Sequence, residues 1–425
     1  MIHAPLCILL LIVFCSEWNV ITNKQELCVI IYGVMSMQYV NAHEALPEEL
    51  LEMVQQHFQG GYLYIPKENA FKEKRQTDYG LELEKRNQHI YLKHLEGRTN
   101  EQLGMIYHLS GPSVRRIISK EKVCYQSMRE IIEQILPLWG IENGQLSQIY
   151  PSAWVIDDSY VIKVYSDKNQ LERNIKASTI LLGCGVPVAE IVSTKMGEEY
   201  VERQNAYFLM SKKMKGSNIS DIKDTEMAWE IGCAIARLHM AFIQCEKEIT
   251  FWDNSLLKEM KGWVRKNLAD DEWRIVSEAE YLKVAESLET VYDHLPKQLI
   301  HRDVHFGNFL FLHGSFVGYI DFDLSQKNIR IFDICYFLTG LLAEETSDTL
   351  TKEDWLENVK AVIAGYERMI KLTETEKEAI PWVMECIEIL CSAYFIGTKD
   401  IKRANDAYRV FRFLQECEDD IKRVI

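Results

Sequence analysis

The residues His301-Arg302-Asp303-Val304-His305-Phe306-Gly307-Asn308, followed by Tyr319-Ile320-Asp321-Phe322-Asp323, are the part of this chain best suited to chemistry. Asn308 lies five residues after Asp303, and Asp321 lies eighteen after it. Apolar pairs and runs flank both pieces: Leu299-Ile300 before, Phe309 to Leu312 between, and Val317 to Ile320 ahead of the second Asp. That pattern predicts a loop, a short strand, a turn at His313-Gly314-Ser315 and a second strand ending in an acidic ligand. Phosphoryl transfer needs such a set. One carboxylate orients and deprotonates the attacking hydroxyl, while an amide oxygen and a second carboxylate hold divalent ions on the phosphates.

His301 to Asn308 resembles the His-x-Asp-x-x-x-x-Asn loop of the aminoglycoside phosphotransferase and choline kinase family of small-molecule kinases. Homoserine kinases of the same fold and spore-coat kinase-like proteins belong among its relatives. Ile320-Asp321-Phe322-Asp323 is similar to the segment that replaces the protein-kinase Asp-Phe-Gly. Phe306 stands where the family often has Pro. The likeness covers roughly residues 140 to 425. It implies Asp303 as catalytic base, His301 as a support of the loop, and Asn308, Asp321 and Asp323 as ligands of Mg²⁺. It also implies ATP as phosphate donor.

The elements that must position these groups are legible as strands and helices. Gln148-Ile149-Tyr150 and Trp154-Val155-Ile156 flank Pro151-Ser152-Ala153, Asp157-Asp158-Ser159 reads as a hairpin turn, and Tyr160 to Tyr165 alternates as a strand. The resemblance makes this a kinase N-lobe. Lys163, in mid-strand, would hold the nucleotide phosphates. Ser152 would contact a phosphate from a covering loop that contains no Gly. Leu171 to Leu182 reads as the next helix, with Glu172 as the acidic partner of Lys163. Ile191-Val192, Glu199 to Val201 and Tyr207 to Met210 read as strands, and Met210 to Lys213 as the hinge whose backbone holds adenine. From Met227 the pattern is helical; His239 and Asp333 are expected in structural roles, the latter because an acid in so apolar a run must be hydrogen-bonded. Residues 352 to 425 read as all helix, with Pro381 in the first turn of a buried one and Glu385 and Glu388 on a surface face.

The formal charge of −15 gives no general attraction to nucleic acid, but it is unevenly spread. Lys67 to Lys122 carries 12 Lys+Arg against 8 Asp+Glu, a net of +4 within an acidic chain. Thr99-Asn100-Glu101-Gln102 has the capping-box form, Leu109 plugs a turn, and Ser110 can cap a following helix with Val114, Ile117 and Ile118 inward. Ser113, Arg115, Arg116 and Ser119 then face outward, the build of a helix-turn-helix whose residues 99 to 120 could reach DNA. Tyr39 to Lys122 also resembles a small bacterial helix-turn-helix family that begins with Leu-Pro-Glu-Glu-Leu and Gly-Gly-Tyr-Leu-Tyr-Ile-Pro segments. Such proteins often dimerise, so a homodimer is an expectation.

Eleven scattered cysteines without a Cys-x-x-Cys suit reduced thiols in the cytoplasm. Pro5 to Cys15 is an apolar run too short to span a bilayer comfortably, with no Lys or Arg before it. Met35 or Met37 is therefore the expected start, and no stable membrane association is expected.

The expected architecture is α+β: a bilobal protein-kinase-like fold with a small β-rich N-lobe and a helical C-lobe, preceded by a small all-α helix-turn-helix domain. The boundaries fall at 1–36 (leader), 37–125 (helix-turn-helix), 126–215 (linker helix and N-lobe) and 216–425 (C-lobe). The expected function is ATP- and Mg²⁺-dependent transfer of a γ-phosphate to a small-molecule hydroxyl. The alternative is a transcriptional regulator that uses the kinase-like part as a ligand or nucleotide sensor.

Overall fold

A computed structural model describes residues 78–425, apart from 108, 223 and 344–349. The leader over 1–36 and the Leu-Pro-Glu-Glu-Leu and Gly-Gly-Tyr-Leu-Tyr-Ile-Pro segments, expected as a helix start and a short extended piece, lie outside the described residues.

Three helices precede the first strand: α1 (Asp78–Leu95), α2 (Asn100–Ile106) and α3 (Gly111–Ile135). Thr99 caps α2 reciprocally with Gln102, and Ser110 caps α3 by accepting from the Ser113 N–H. Their apolar faces meet in a small core of Ile90, Leu103, Val114 and Ile117. The sequence pattern predicts two helices here, one near 111–119 and one at 128–139. Instead α3 is a single helix of 25 residues, about 37 Å long at 1.5 Å per residue. No Gly or Pro interrupts it between Ser113 and Ile135, so nothing local ends it. Its last turns bury Ile131, Ile132 and Ile135 beneath the sheet that follows.

That sheet has five antiparallel strands in the order β1-β2-β3-β5-β4: β1 (Leu146–Tyr150), β2 (Ala153–Ile156), β3 (Tyr160–Tyr165), β4 (Tyr200–Arg203) and β5 (Ala206–Lys212). Asp157, Asp158 and Ser159 join β2 to β3, the first two at φ of 50° and 54°, and the two residues Gln204 and Asn205 join β4 to β5 at 50° and 59°. Paired positive φ values match the twist of two-residue hairpins. Ile191, expected in a strand, contributes only an isolated bridge to Ser211. Helix α4 (Lys168–Gly183) is capped by Asp167 and packs Leu171 and Ile175 against Tyr165 and Leu209.

The C-terminal part is helical around one large core. Helix α5 (Thr225–Glu248) is followed by α6 (Glu278–Tyr292), then β6 (Lys297–Ile300), β7 (Phe309–Leu312), β8 (Ser315–Tyr319) and β9 (Gln326–Ile329). Helices α7 (Ile331–Ala343), α8 (Lys352–Glu367), α9 (Glu374–Gly397), α10 (Ile401–Glu416) and α11 (Glu418–Val424) complete it. Strands β7 and β8 form the predicted hairpin, turning at His313 and Gly314 with φ of 53° and 89°.

Helices α5 and α8 cross in close backbone contact. A Cβ at Gly232 would lie 2.0 Å from the Val362 carbonyl oxygen, and one at Gly365 would lie 2.0 Å from that of Trp229. Gly365→Ala is therefore expected to lower stability by about 1–3 kcal/mol through overpacking. A urea midpoint equal to that of the parent protein would contradict this.

Helix α9 begins earlier than its sequence suggests. A Thr373–Glu376 capping box starts it, which places Pro381 inside the helix rather than in its first turn. It is long and apolar enough to cross a membrane, yet 78% of its most apolar window is buried within the protein. Glu385 and Glu388 are buried too, not on a surface face, because the helix is enclosed on all sides. Burial pushes both carboxyls up to about 7; Glu418 adds to the shift of Glu385, and a Thr339 hydrogen bond moderates that of Glu388. A raised carboxyl favours the folded state at low pH and loses that contribution as pH rises through the folded value. Stability is thus expected to fall between about pH 5 and pH 8, and Glu388→Gln is expected to flatten that slope. Chemical denaturation across this range measures it, and an unchanged slope would remove Glu388 as its source.

Candidate active site

The loop between β6 and β7 is held by one buried carboxylate. Asp333, at the start of α7, accepts the backbone N–H groups of His301 and Arg302, each at 2.8 Å, and His239 Nε2 at 3.0 Å. His239 Nδ1 lies 2.9 Å from the Tyr366 hydroxyl, so four elements converge on this acid. The bracing keeps Arg302 at a φ of 74°, in the left-handed region. Arg302 turns away to Glu259, 2.9 Å distant, and lies over the Phe332 ring. His301 is fully buried, its ring 5.0 Å from that of Phe322. Burial lowers the imidazole pKa, against the pull of Asp333, Asp303 and Asp321. The His301 backbone N–H is one of the two that bond Asp333, so this residue helps hold the loop.

Asp303 follows the braced pair in the same loop. Asn308 Nδ2 donates to its Oδ2 at 3.0 Å and to its carbonyl at 2.8 Å. The Tyr336 hydroxyl donates to Oδ1 at 3.3 Å, and His305 Nε2 lies 3.4 Å from Oδ2. Burial alone would raise the carboxyl, but His305, His301 and Asn308 outweigh it and hold Asp303 below its ordinary value. The group is ionised at neutral pH, as a base must be.

Lys163 reaches across from β3 to the second acidic pair, 2.9 Å from Asp321 Oδ1 and 2.7 Å from Asp323 Oδ2. Burial would lower the ammonium pKa, but Tyr165, Asp323 and Asp321 together hold it above its usual value. Against burial, Lys163 and the Asp323 N–H hold Asp321 down. Asp323 is raised, first by burial and then by the charge of Asp321. One ammonium between two carboxylates thus splits their protonation. Asp321 itself sits at a φ of 64°. The N–H of Ile320 donates to the Asn308 carbonyl at 3.0 Å, which ties the β8 end to the loop. Asp303 and Asn308 thus form one bonded group and Lys163, Asp321 and Asp323 another, joined by that backbone bond.

A family model described as the phosphotransferase enzyme family matches residues 146–375. The chain belongs to that family. This phosphotransferase is similar in fold to an amicoumacin kinase solved with AMP-PNP, Ca²⁺ and its ligand Ami, at a TM-score of 0.52 and 16% identity, covering 71% of this chain and 96% of that one. It is 35% identical over 88 residues to a homoserine kinase of Phenylobacterium zucineum, which is 20% of this chain and only 25% of that enzyme. It is also 34% identical over 84 residues to the uncharacterized protein YraL of Bacillus subtilis, 19% of this chain and 97% of that protein.

Several sequence-based assignments within the phosphotransferase need correction. Glu172 is not brought to Lys163: it accepts from the Tyr200 hydroxyl at 3.4 Å and lies 3.8 Å from Lys168. With Leu171 and Ile175 facing the sheet, it is Asn174 that meets the site, donating to Asp323 at 2.5 Å and to the Tyr165 hydroxyl at 3.3 Å. Met210 is not in the hinge. It is buried within β5, and its carbonyl is taken by the Val192 N–H at 2.9 Å. The strand continues to Lys212, so the connection between the lobes begins after that residue. Ser152 does lie in the β1–β2 loop, its carbonyl accepting from Val164 at 2.8 Å. Arg115 and Arg116 are exposed on α3, while the Ser113 hydroxyl is engaged with that of Ser110 at 2.9 Å.

Three further residues of the phosphotransferase were not singled out from sequence. Asn218 donates to the carbonyls of Phe306, Gly307 and Phe309 at 3.1, 2.8 and 2.9 Å, stapling the loop from the far side of the hinge. Tyr336 and His305 flank Asp303. His305 lies two residues from Asp303, a local signal; Asn218 and Tyr336 carry none. The donor set fits a hard divalent cation. Asn308 spends its NH₂ on Asp303, which leaves its amide oxygen, like the carboxylate oxygens of Asp321 and Asp323, as a hard donor.

Proposed function

We propose that the protein is a small-molecule kinase that moves the γ-phosphate of ATP to a hydroxyl of its acceptor. What carries this reading is one group in which Asn308 bonds Asp303 and a second in which Lys163 pairs with Asp321 and Asp323, the two joined by the Ile320 N–H on the Asn308 carbonyl. Asp303 orients the acceptor hydroxyl and takes its proton. Lys163 leaves the carboxylates to hold nucleotide phosphates. Asn308, Asp321 and Asp323 would hold Mg²⁺, which supplies charge neutralisation on the phosphates. Positioning and electrostatics carry most of the rate in such a site. The homoserine and amicoumacin kinases to which parts of the chain are similar support a small acceptor, and a kinase using ATP is placed in the cytoplasm.

Consumption of ATP with Mg²⁺ and a panel of amino alcohols, amino acids, sugars and aminoglycosides tests the reading. No turnover with any class, together with no heat on titrating Mg·ATP, would end it. Lys163→Met is expected to weaken nucleotide affinity about 10- to 100-fold, the worth of a hydrogen bond to a charged group. Calorimetry measures this, and unchanged affinity would remove Lys163 from the phosphate site.

The N-terminal helices favour a second activity. A capped α2, a tight turn and an α3 that exposes Arg115 and Arg116 suit DNA in a major groove. Shift assays with Arg115→Ala plus Arg116→Ala, at rising salt, test it: unchanged affinity in the double variant would remove α3 as the contact surface. If DNA binds and no acceptor is ever phosphorylated, the sensor reading stands instead.

A further inference from the structure

We propose that the helical block α1–α3 is a relay: movement of the β1–β2 loop on nucleotide binding is passed to α1 and α2. This rests on the kinase reading above, because it assigns regulation to the same site.

The loop is short, and a ring that touches the block stands at each of its ends. Tyr150 precedes it and is met edge-on by His89 of α1, with ring centroids 5.2 Å apart. Trp154 follows it, is fully buried, and lies against Tyr125 of α3 with ring centroids 4.8 Å apart and planes tilted by 31°. Tyr125 in turn lies 5.5 Å from Tyr91 of α1. Between the two rings, Ala153 is the register partner of Lys163, and Ser152 accepts from Val164. The loop that covers phosphates, the strand that carries the lysine and the helical block are thus joined within a few residues. A shift of the loop must displace Tyr150 or Trp154, and each has a partner in the block.

Helix α3 makes the connection stiff. One end supplies Val114 and Ile117 to the core of the block, and the other supplies Ile131, Ile132 and Ile135 to the core under the sheet. Tyr125 lies between. A flexible linker would decouple the two cores, whereas a continuous helix carries rotation and translation along its length. Coupling between sites is reciprocal, so any ligand of the block that prefers one arrangement changes nucleotide affinity by the same factor.

Hydrogen–deuterium exchange on the intact protein, with and without Mg·AMP-PNP, tests the relay. Exchange in peptides spanning 146–165 is expected to slow, and exchange in peptides spanning 86–107 is expected to slow about fivefold, the low end of ordinary coupling. Slowing confined to 146–165 overturns the relay and leaves the nucleotide site standing. Slowing in neither region overturns both. His89→Ala and, separately, Tyr125→Leu are expected to keep the protection at 146–165 and to lose most of it at 86–107. Undiminished transmission in both variants overturns the assignment to these rings.

Discussion

Asp303→Ala is expected to lower phosphotransfer by about 10³-fold while nucleotide affinity stays within a few-fold of the parent protein. Two features of the site lead there. The carboxylate is held ionised by His305, His301 and Asn308, so it is poised to accept a proton. It makes no contact with Lys163, which pairs instead with Asp321 and Asp323, so the phosphate-facing side survives its loss. Asp303→Asn separates two contributions, since it keeps the shape and a hydrogen-bond acceptor but cannot take the proton. Initial rates with the acceptor found in the panel, beside calorimetry with Mg·ATP, read both quantities. Substantial turnover in both variants would mean that another group is the base, with His305 the nearest candidate.

Asp333→Ala is expected to destabilise the fold by about 3–5 kcal/mol and to abolish activity. The alanine would strand two buried backbone N–H groups, those of His301 and Arg302, and leave His239 without its acceptor. It would also release Arg302 from a left-handed conformation that other residues hold in place. Asp333→Asn keeps one acceptor oxygen and is expected to lose less. The measurement is the midpoint of chemical denaturation, followed by nucleotide binding at a temperature where the variant is still folded. A variant as stable as the parent would show that the loop is held by its flanking strands alone.

The two variants probe parts of the site that differ in how far sequence could reveal them. Asp303, Asn308 and Asp321 lie on a loop and hairpin whose strands and turn are specified by residues within about twenty positions. Asp333 was legible as a buried, hydrogen-bonded acid because it interrupts an apolar helix start, although its partners were not. The pairing of Lys163 was misread. Glu172 has the right charge and lies on the right helix, but helical rotation puts Asn174 toward the site and leaves Glu172 47% exposed. Glu385 and Glu388 were misread for a related reason: charge suggests surface, and only the packing of neighbouring helices around α9 shows that they are enclosed.

Sequence alone determined the chemical set and the local scaffolds that carry it. Side-chain chemistry is intrinsic to residue type, and turns, caps and strand alternation depend on neighbours a few residues away. That is why the β7–β8 hairpin and the Thr99 and Ser110 caps form where their residues predict. Only the tertiary structure decided which carboxylates Lys163 meets, that Asn218 staples the loop, and that α3 joins two cores through Tyr125. Those outcomes depend on which helix faces come together over separations of up to 160 residues, as between Lys163 and Asp323, and burial and packing across the whole molecule settle them.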